Sequence, residues 1–197
     1  MLFRSPKSPS ASTSPPNPLG PSACVTASQA ASHGTKWKLL SPRTLCGLPQ
    51  NNSPAEQSSS QQMASVMKEL LTNFTGNGPD YGKETADVSQ GYQIARNTSG
   101  VYRSISFTGL EGTFNPQAAA SAVETSLGSG YTFDSVDPGP HGGVMACGSV
   151  SSNSENCVWA TPTTLCLIMI IDTTQQLIGP SVDANAVRIR DVLEVPG

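Results

Sequence analysis

The stretch of residues 136–171 constrains the fold more than any other part of the chain. It reads VDPGPHGGVMACGSVSSNSENCVWATPTTLCLIMII and holds three of the five cysteines, Trp159 and the most apolar run of the sequence. Apolar arms at 144–147 and 157–160 flank a segment rich in Gly, Ser and Asn, which is the composition of a surface turn. The pattern predicts a β-hairpin followed by a third, buried strand.

The two arms of this hairpin carry Cys147 and Cys157, ten residues apart. Cysteines on facing strands can join when their side chains point to the same face and their Cα atoms lie within bonding range. Closing so short a loop stabilises a fold by roughly 2 to 3 kcal/mol in the chain-entropy treatment. Two unlinked, buried thiols are the alternative, since cytosolic domains also bury cysteine. The residues alone leave both states open.

Composition divides the chain into a leader and a folded part. Residues 1–42 are dominated by Ser, Pro, Ala and Thr, which bury too little apolar area to offset chain entropy, so we expect a disordered leader or linker. With 13% charged residues, 18 Gly and 16 Pro in the whole chain, one domain over residues 43–197 is the simplest expectation. Trp37, Leu39 and Leu40 are the part of the leader expected to touch a folded surface.

Charge and hydropathy exclude several partners. Five basic residues and no acidic ones lie in residues 1–45, whereas the remainder carries a net charge of −8. An acidic body argues against a nucleic-acid surface, because phosphate binding needs a concentrated basic face. Residues 165–171, the most apolar run, are far shorter than the roughly 20 residues of a spanning helix, and residues 1–20 show no hydrophobic signal core. We therefore expect neither a membrane anchor nor a secretory signal in this chain.

Three segments have the pattern of helices. Residues 53–74 begin with Ser53, Pro54 and Glu56, an N-cap, a first-turn proline and a capping-box acid. Their apolar stripe is expected to pack on the core and comprises Met63, Val66, Met67, Leu70, Leu71 and Phe74. Asn115 and Pro116 start a second, alanine-rich helix that ends at Gly128.

The third helix is predicted near the C-terminus, capped by Ser181 or Asp183. Its buried face is expected to consist of Val182, Ala186, Ile189 and Leu193. Arg188 and Arg190 are expected to stay in water.

Strands are indicated by the period-two pattern of residues 101–108, by residues 131–135, by the two hairpin arms and by residues 164–171. The last of these is apolar on both faces, as in the middle of a covered sheet. Residues 77–100 are polar and glycine-rich, and we expect a loop there. The fold class is α+β, an antiparallel sheet of about four strands with three helices packed on it, in the order α-β-α-β-β-β-α.

The proline- and glycine-rich loop is the most distinctive candidate for a site. It lacks the Lys-Ser/Thr pair of a phosphate loop, so it is either a rigid turn or a binding loop whose bare backbone approaches a ligand. The candidate binding residues are Pro138, Gly139, Pro140, His141, Gly142 and Gly143.

Cofactor and nucleophile chemistry find little support in the sequence. No two of the cysteines and histidines have the two-to-four-residue spacing of a structural zinc site, and we expect no cofactor. A Cys/His hydrolase would use His141 and Cys147 with Asp137, but a Cys147–Cys157 disulfide would remove its nucleophile. Cys166 is expected to be a buried thiol, with pairing to Cys46 as an alternative; the partner of Cys24 is undetermined.

The C-terminal half resembles a group of uncharacterised actinobacterial proteins with an anchor or secretion signal, a Ser/Pro/Gly-rich linker and a small extracytoplasmic α+β domain. The resemblance rests on residues 136–143, Cys147-Gly148, residues 157–160 (CVWA) and residues 189–192 (IRDV). It implies a disulfide between Cys147 and Cys157 and an oxidising location. The chain departs from the group in lacking an anchor and in reading TPTTLC after CVWA, where relatives tend to have an acidic residue and glycine.

Two functions follow as hypotheses. The first is a non-enzymatic extracytoplasmic domain that binds a cell-envelope component, or a protein partner, or acts as a sensor. The second is a small hydrolase with a site around His141, Asp137 and Asp134. No catalytic residue can be transferred from the resemblance.

Overall fold

The computed structural model describes residues 35–74, 81–94, 100–128, 130–174 and 182–197. These residues form three α-helices and ten β-strands. In chain order they are β1 (Trp37–Leu39), β2 (Thr44–Leu45), β3 (Leu48–Pro49), α1 (Pro54–Phe74), β4 (Gly82–Ile94), β5 (Arg103–Phe114), α2 (Pro116–Leu127), β6 (Asp134–Ser135), β7 (Val144–Ser151), β8 (Ser154–Ala160), β9 (Thr164–Asp172), α3 (Val182–Leu193) and β10 (Glu194–Pro196).

The main sheet has six strands in the order β4-β5-β9-β8-β7-β6, and every pairing in it is antiparallel. The α+β class and the antiparallel sheet are thereby confirmed. The predicted number of about four strands and the predicted order are wrong, because β4 joins the sheet between α1 and β5 and because four strands, β6 to β9, lie between α2 and α3 where three were expected. Two small pairs, β1 with β10 and β2 with β3, accompany the sheet.

Strand β9 lies in the middle of the sheet, between β5 and β8, as its two apolar faces indicated. Its alternate side chains enter two separate cores. One core contains Cys166, Ile168 and Ile170 and is covered by β1 and α3. The other contains Leu165 and Leu167 and is covered by α1 and α2. The fold is therefore a sheet with packed elements on both faces.

The prediction of a polar loop over residues 77–100 is wrong for residues 82–94, which form β4. Residues 77–80 and 95–99 lie outside the described residues. β4 is an edge strand with β5 as its neighbour in the sheet, and its exposed residues are polar except for Ala86, as suits an edge in water. Tyr92, on the side that faces the core, is buried. An edge strand of this kind lacks the apolar alternation on which strand prediction depends.

Strand β1 lies within the predicted leader. Trp37 and Leu39 are buried, and β1 pairs with the C-terminal strand β10. This part of the 1–42 stretch is therefore ordered, as the apolar side chains suggested, although Leu40 points into solvent. Residues 1–34, including Cys24, lie outside the described residues.

Helices α1 and α2 begin as predicted. The Glu56 N–H donates to Ser53 Oγ at 3.3 Å, and the Ala118 N–H donates to Asn115 Oδ1 at 3.3 Å. The α1 stripe is confirmed at Met67, which is buried, and at Met63, which packs against the core, but not at Val66, which is 45% exposed. The side chains of the other predicted members, Leu70, Leu71 and Phe74, lie outside the described part of the chain.

Helix α3 buries Ala186, Ile189 and Leu193 as predicted. The expectation that Arg190 stays in water is wrong, since the side chain is fully buried.

The hairpin prediction is confirmed. Cys147 and Cys157 face each other across β7 and β8 and are joined in a disulfide. The arms are longer than predicted, so the turn shrinks to Ser152 and Asn153. Cys46 is disulfide-bonded and Cys166 is a free, buried thiol, so the alternative of a Cys46–Cys166 bond is wrong.

Candidate functional site

The buried side chain of Arg190 binds the predicted binding loop through two hydrogen bonds. Its Nη1 donates to the carbonyl oxygen of Pro138 at 3.0 Å, and its Nη2 donates to that of Gly142 at 2.8 Å. Three glycines allow this conformation, with φ of 71° at Gly139, 67° at Gly142 and 83° at Gly143. Two of the loop's carbonyl groups are thus directed into the protein, as expected for the rigid turn.

His141 is buried at the centre of the loop. Its Nδ1 lies 3.1 Å from Glu194 Oε2, its Nε2 lies 3.2 Å from Asp191 Oδ1, and its ring stacks on Trp37 with centroids 4.0 Å apart. Because both ring nitrogens face carboxylates and the side chain is 1% exposed, the imidazole has no free nitrogen for a substrate.

Glu194 connects the loop to α3 and β9. It accepts hydrogen bonds from Arg190 Nε at 2.7 Å and from the Thr164 hydroxyl. Burial alone would raise the pKa of the Glu194 carboxyl, but the contacts with His141, Arg190 and Thr164 outweigh it and lower this pKa. We call His141, Arg190, Asp191 and Glu194 the His141 cluster; it ties the loop to α3.

The acidic residues of the hydrolase hypothesis do not join this cluster. Asp137 is exposed, and its Oδ1 accepts the Gly139 N–H at 2.9 Å within the turn. Asp134, in β6, lies opposite Cys147 of β7. It lines a different cavity, together with Glu155 and Asp183. His141, Asp137 and Asp134 therefore make no common site, and the nucleophile of the Cys/His alternative is in the disulfide.

The cavity beside the disulfide is acidic. Burial raises the pKa of the Glu155 carboxyl, and the charges of Asp183 and Asp134 raise it further, against a hydrogen bond donated by Ser149 Oγ at 2.6 Å. A carboxyl whose pKa is higher in the folded state costs no stability below its unfolded pKa. The cost appears as the pH rises through the folded value.

Glu155→Gln should therefore raise the free energy of unfolding at pH 7 and have a smaller effect at pH 4. The amide keeps an acceptor for Ser149 and removes the charge that Asp134 and Asp183 oppose. Urea denaturation at the two pH values measures the difference. An equal change at both would show that charge is not the cause.

A second cavity lies between α1 and the sheet and has the features of a binding site. Its volume is about 250 Å³. Nine residues of α1, β5 and β9 line it, and we call it the α1 cleft: Glu56, Ser59, Ser60, Met63, Ser106, Phe107, Thr108, Leu167 and Met169. Apolar walls with a few converging polar groups are typical of sites for small ligands.

The cleft exists because α1 presents small polar side chains to the sheet over its first two turns. Ser59 and Ser60 line it from the helix, while Ser106 and Thr108 line it from β5. Close apolar packing of the helix is centred further along, at Met67. The N-terminal half of α1 is therefore separated from the sheet by an open space.

Glu56 does not complete the predicted capping box. In a capping box the Ser53 N–H would donate to the Glu56 carboxylate. Here it donates to Asn51 Oδ1 at 3.1 Å instead. The Glu56 carboxylate turns to the sheet, where its Oε1 accepts from Ser106 Oγ at 3.3 Å. Gly91 leaves room for it, because a Cβ at that position would lie 2.0 Å from Oε1.

A polar groove of about 470 Å³ adjoins the α1 cleft and shares Glu56 and Ser60 with it. Neither lining contains a lysine or an arginine. Asp87 in the groove is paired with Lys68 Nζ at 2.6 Å. Within the described part of the chain, no cationic nitrogen lies within 4 Å of the Glu56 carboxylate. The combined surface of the α1 cleft and the groove is therefore negative or neutral throughout.

In the residues that the structure describes, no three His, Cys, Asp or Glu side chains are placed to hold a metal ion. None of the described helices has the length and apolarity to cross a membrane.

No protein-family model, curated protein or solved structure matches the chain.

Proposed function

We propose that this protein is a non-enzymatic, extracytoplasmic binding domain that takes a cell-envelope component in the α1 cleft. The observation that carries the proposal is the cleft itself, an open, partly apolar space with a carboxylate at its edge that has no ion-pair partner among the described residues. The buried contacts of both His141 ring nitrogens with carboxylates support a structural role for the loop that the sequence offers as a candidate site.

The disulfide supports the extracytoplasmic location. Cys147 and Cys157 form a bond across a hairpin, and such bonds persist in secreted and periplasmic proteins but are rare in a reducing cytosol. The resemblance to actinobacterial envelope proteins points the same way. The absence of a free imidazole in the loop favours binding over hydrolysis.

Blocking the cleft is the direct test. Ser60 lines both the cleft and the groove, so Ser60→Trp should fill the space and weaken retention on purified actinobacterial cell wall by about tenfold, equivalent to losing roughly 1.4 kcal/mol. Cosedimentation of the oxidised protein with insoluble cell wall measures the retained fraction.

Ser65→Trp is the matched control, because Ser65 is on the exposed side of the same helix and lines neither cavity. It should be retained like the wild type. Equal retention of both variants would exclude the cleft. Catalytic release of soluble fragments from the wall by the wild type would contradict a non-enzymatic role.

A further inference from the structure

We propose that the α1 cleft is selective for an alkylammonium group, with Glu56 pairing with the ammonium and apolar side chains of the cleft contacting the alkyl stem. This inference rests on the proposed function, since it assumes that the cleft is a binding site, and it adds the chemical class of the ligand. The stem would lie against Met63, Leu167 and Met169.

The charge of the cleft favours a cationic ligand. Its lining has one carboxylate and no cation, and the described residues supply no ion-pair partner for that carboxylate. An anionic ligand would be repelled, whereas an ammonium would form a charge-assisted hydrogen bond with Glu56. The hydroxyl groups of Ser59, Ser60 and Ser106 offer further acceptors to an ammonium, which has three donors.

The position of the Glu56 side chain favours the same ligand independently of its charge. A glutamate three residues after a serine N-cap ordinarily returns to the N-cap N–H. Here the side chain crosses to the sheet over Gly91 and meets Ser106. A helix residue, a glycine in β4 and a hydroxyl in β5 together hold one carboxylate at the edge of the cleft.

The volume of the cleft limits the size of the ligand. A volume of about 250 Å³ is smaller than the 300–1,000 Å³ of sites for drug-sized ligands, so the cleft accepts a group of side-chain dimensions. A free alkylamine and a lysine-type side chain in a peptide share this chemistry. The experiment therefore includes one probe for each source.

A ligand-observed NMR titration at pH 7 with three five-carbon probes tests the inference. Pentylamine, 1-pentanol and pentanoate differ in charge and each contain five carbon atoms, the carboxyl carbon of pentanoate included. We expect pentylamine to bind about 3- to 10-fold more tightly than pentanol, as for a partly exposed charged hydrogen bond, and pentanoate to bind most weakly. Equal affinities for all three would overturn the proposal.

Two variants assign the selectivity to the Glu56 carboxylate. Glu56→Gln should remove the preference for pentylamine over pentanol, and Gly91→Ala should reduce it, because the added Cβ displaces the carboxylate. Glu124→Gln is the control, since Glu124 is a half-buried carboxyl residue on α2 outside the cleft. A preference that survives Glu56→Gln would contradict the assignment, as would one that disappears in Glu124→Gln.

A fourth probe, Nα-acetyl-lysine methylamide, distinguishes the two sources of the ammonium. Tighter binding than pentylamine supports a peptide, and weaker binding supports a free amine. The outcome is separable from that of the proposed function. If Ser60→Trp abolishes cell-wall retention while the wild type shows no preference for pentylamine, the cleft binds the wall and the ligand class is wrong.

Discussion

Arg190→Met is expected to lower the free energy of unfolding by about 3 to 5 kcal/mol, the usual effect of breaking a buried ion pair by removing one partner. The guanidinium is fully buried and pairs with Glu194, whose charge would then remain in the interior with less compensation. The carbonyl groups of Pro138 and Gly142 would also lose their donor. Equilibrium denaturation in urea at pH 7 measures the change.

Arg43→Met is the matched control, since Arg43 is exposed; its effect should stay within about 0.5 kcal/mol. Arg190→Met/Glu194→Gln should recover part of the loss, because it removes the uncompensated charge as well. A loss below about 1 kcal/mol for Arg190→Met would show that the His141 cluster does not hold the loop to α3.

Removing the disulfide should give the second largest loss. Cys147→Ala/Cys157→Ala is expected to lower the free energy of unfolding by about 2 to 3 kcal/mol, because the bond closes a short loop and restricts the unfolded chain. Denaturation of the oxidised wild type and the double variant, both without reductant, measures the effect. Cys46 is also disulfide-bonded, so a reductant would confound the comparison.

Peptide mapping supplies the control for this prediction. Cleavage after Glu155 separates Cys147 from Cys157 but leaves Cys157 and Cys166 on one peptide, so the digest is made on Cys166→Ala. The two peptides should then migrate as one linked species until reduced. Separate peptides without reductant, or a double variant as stable as the wild type, would contradict the bond or its contribution.

The hairpin and β9 could be predicted because their signals are local. Apolar arms on either side of a polar turn indicate a hairpin, and seven consecutive apolar residues indicate a covered strand. The side chains of Cys147 and Cys157 then meet across β7 and β8 as the pattern required. Strand β4 has no such signal, since most of its side chains are polar and its pairing partner β5 fixes its conformation.

The sequence carries a signal for the buried position of Arg190. Ala186, Ile189, Arg190 and Leu193 follow the spacing i, i+3, i+4, i+7, so Arg190 occupies an inward position of the α3 stripe. Glu194 follows four residues later, at ion-pair spacing. The stacking of Trp37 on His141 had no signal, because 104 residues separate the two in sequence.

The α1 cleft could be anticipated only in part. Glu56, Ser60 and Met63 have helical spacing and share one face of α1, so a polar start to the sheet-facing stripe is visible in the sequence. The turn of the Glu56 side chain away from the capping box is not visible in the sequence, because it depends on Gly91 and Ser106, which lie in strands that are distant in sequence. The strongest sequence motif, the proline- and glycine-rich loop, proved to be occupied by internal contacts.

An amide NMR shift map of the ¹⁵N-labelled protein titrated with pentylamine tests most directly which surface binds. The largest shifts are expected on residues 56–63 of α1 and 106–108 of β5, and Ser60→Trp should abolish them. Shifts concentrated on residues 138–143 would contradict the account, because they would place the binding site on the loop that Arg190 and His141 hold in place.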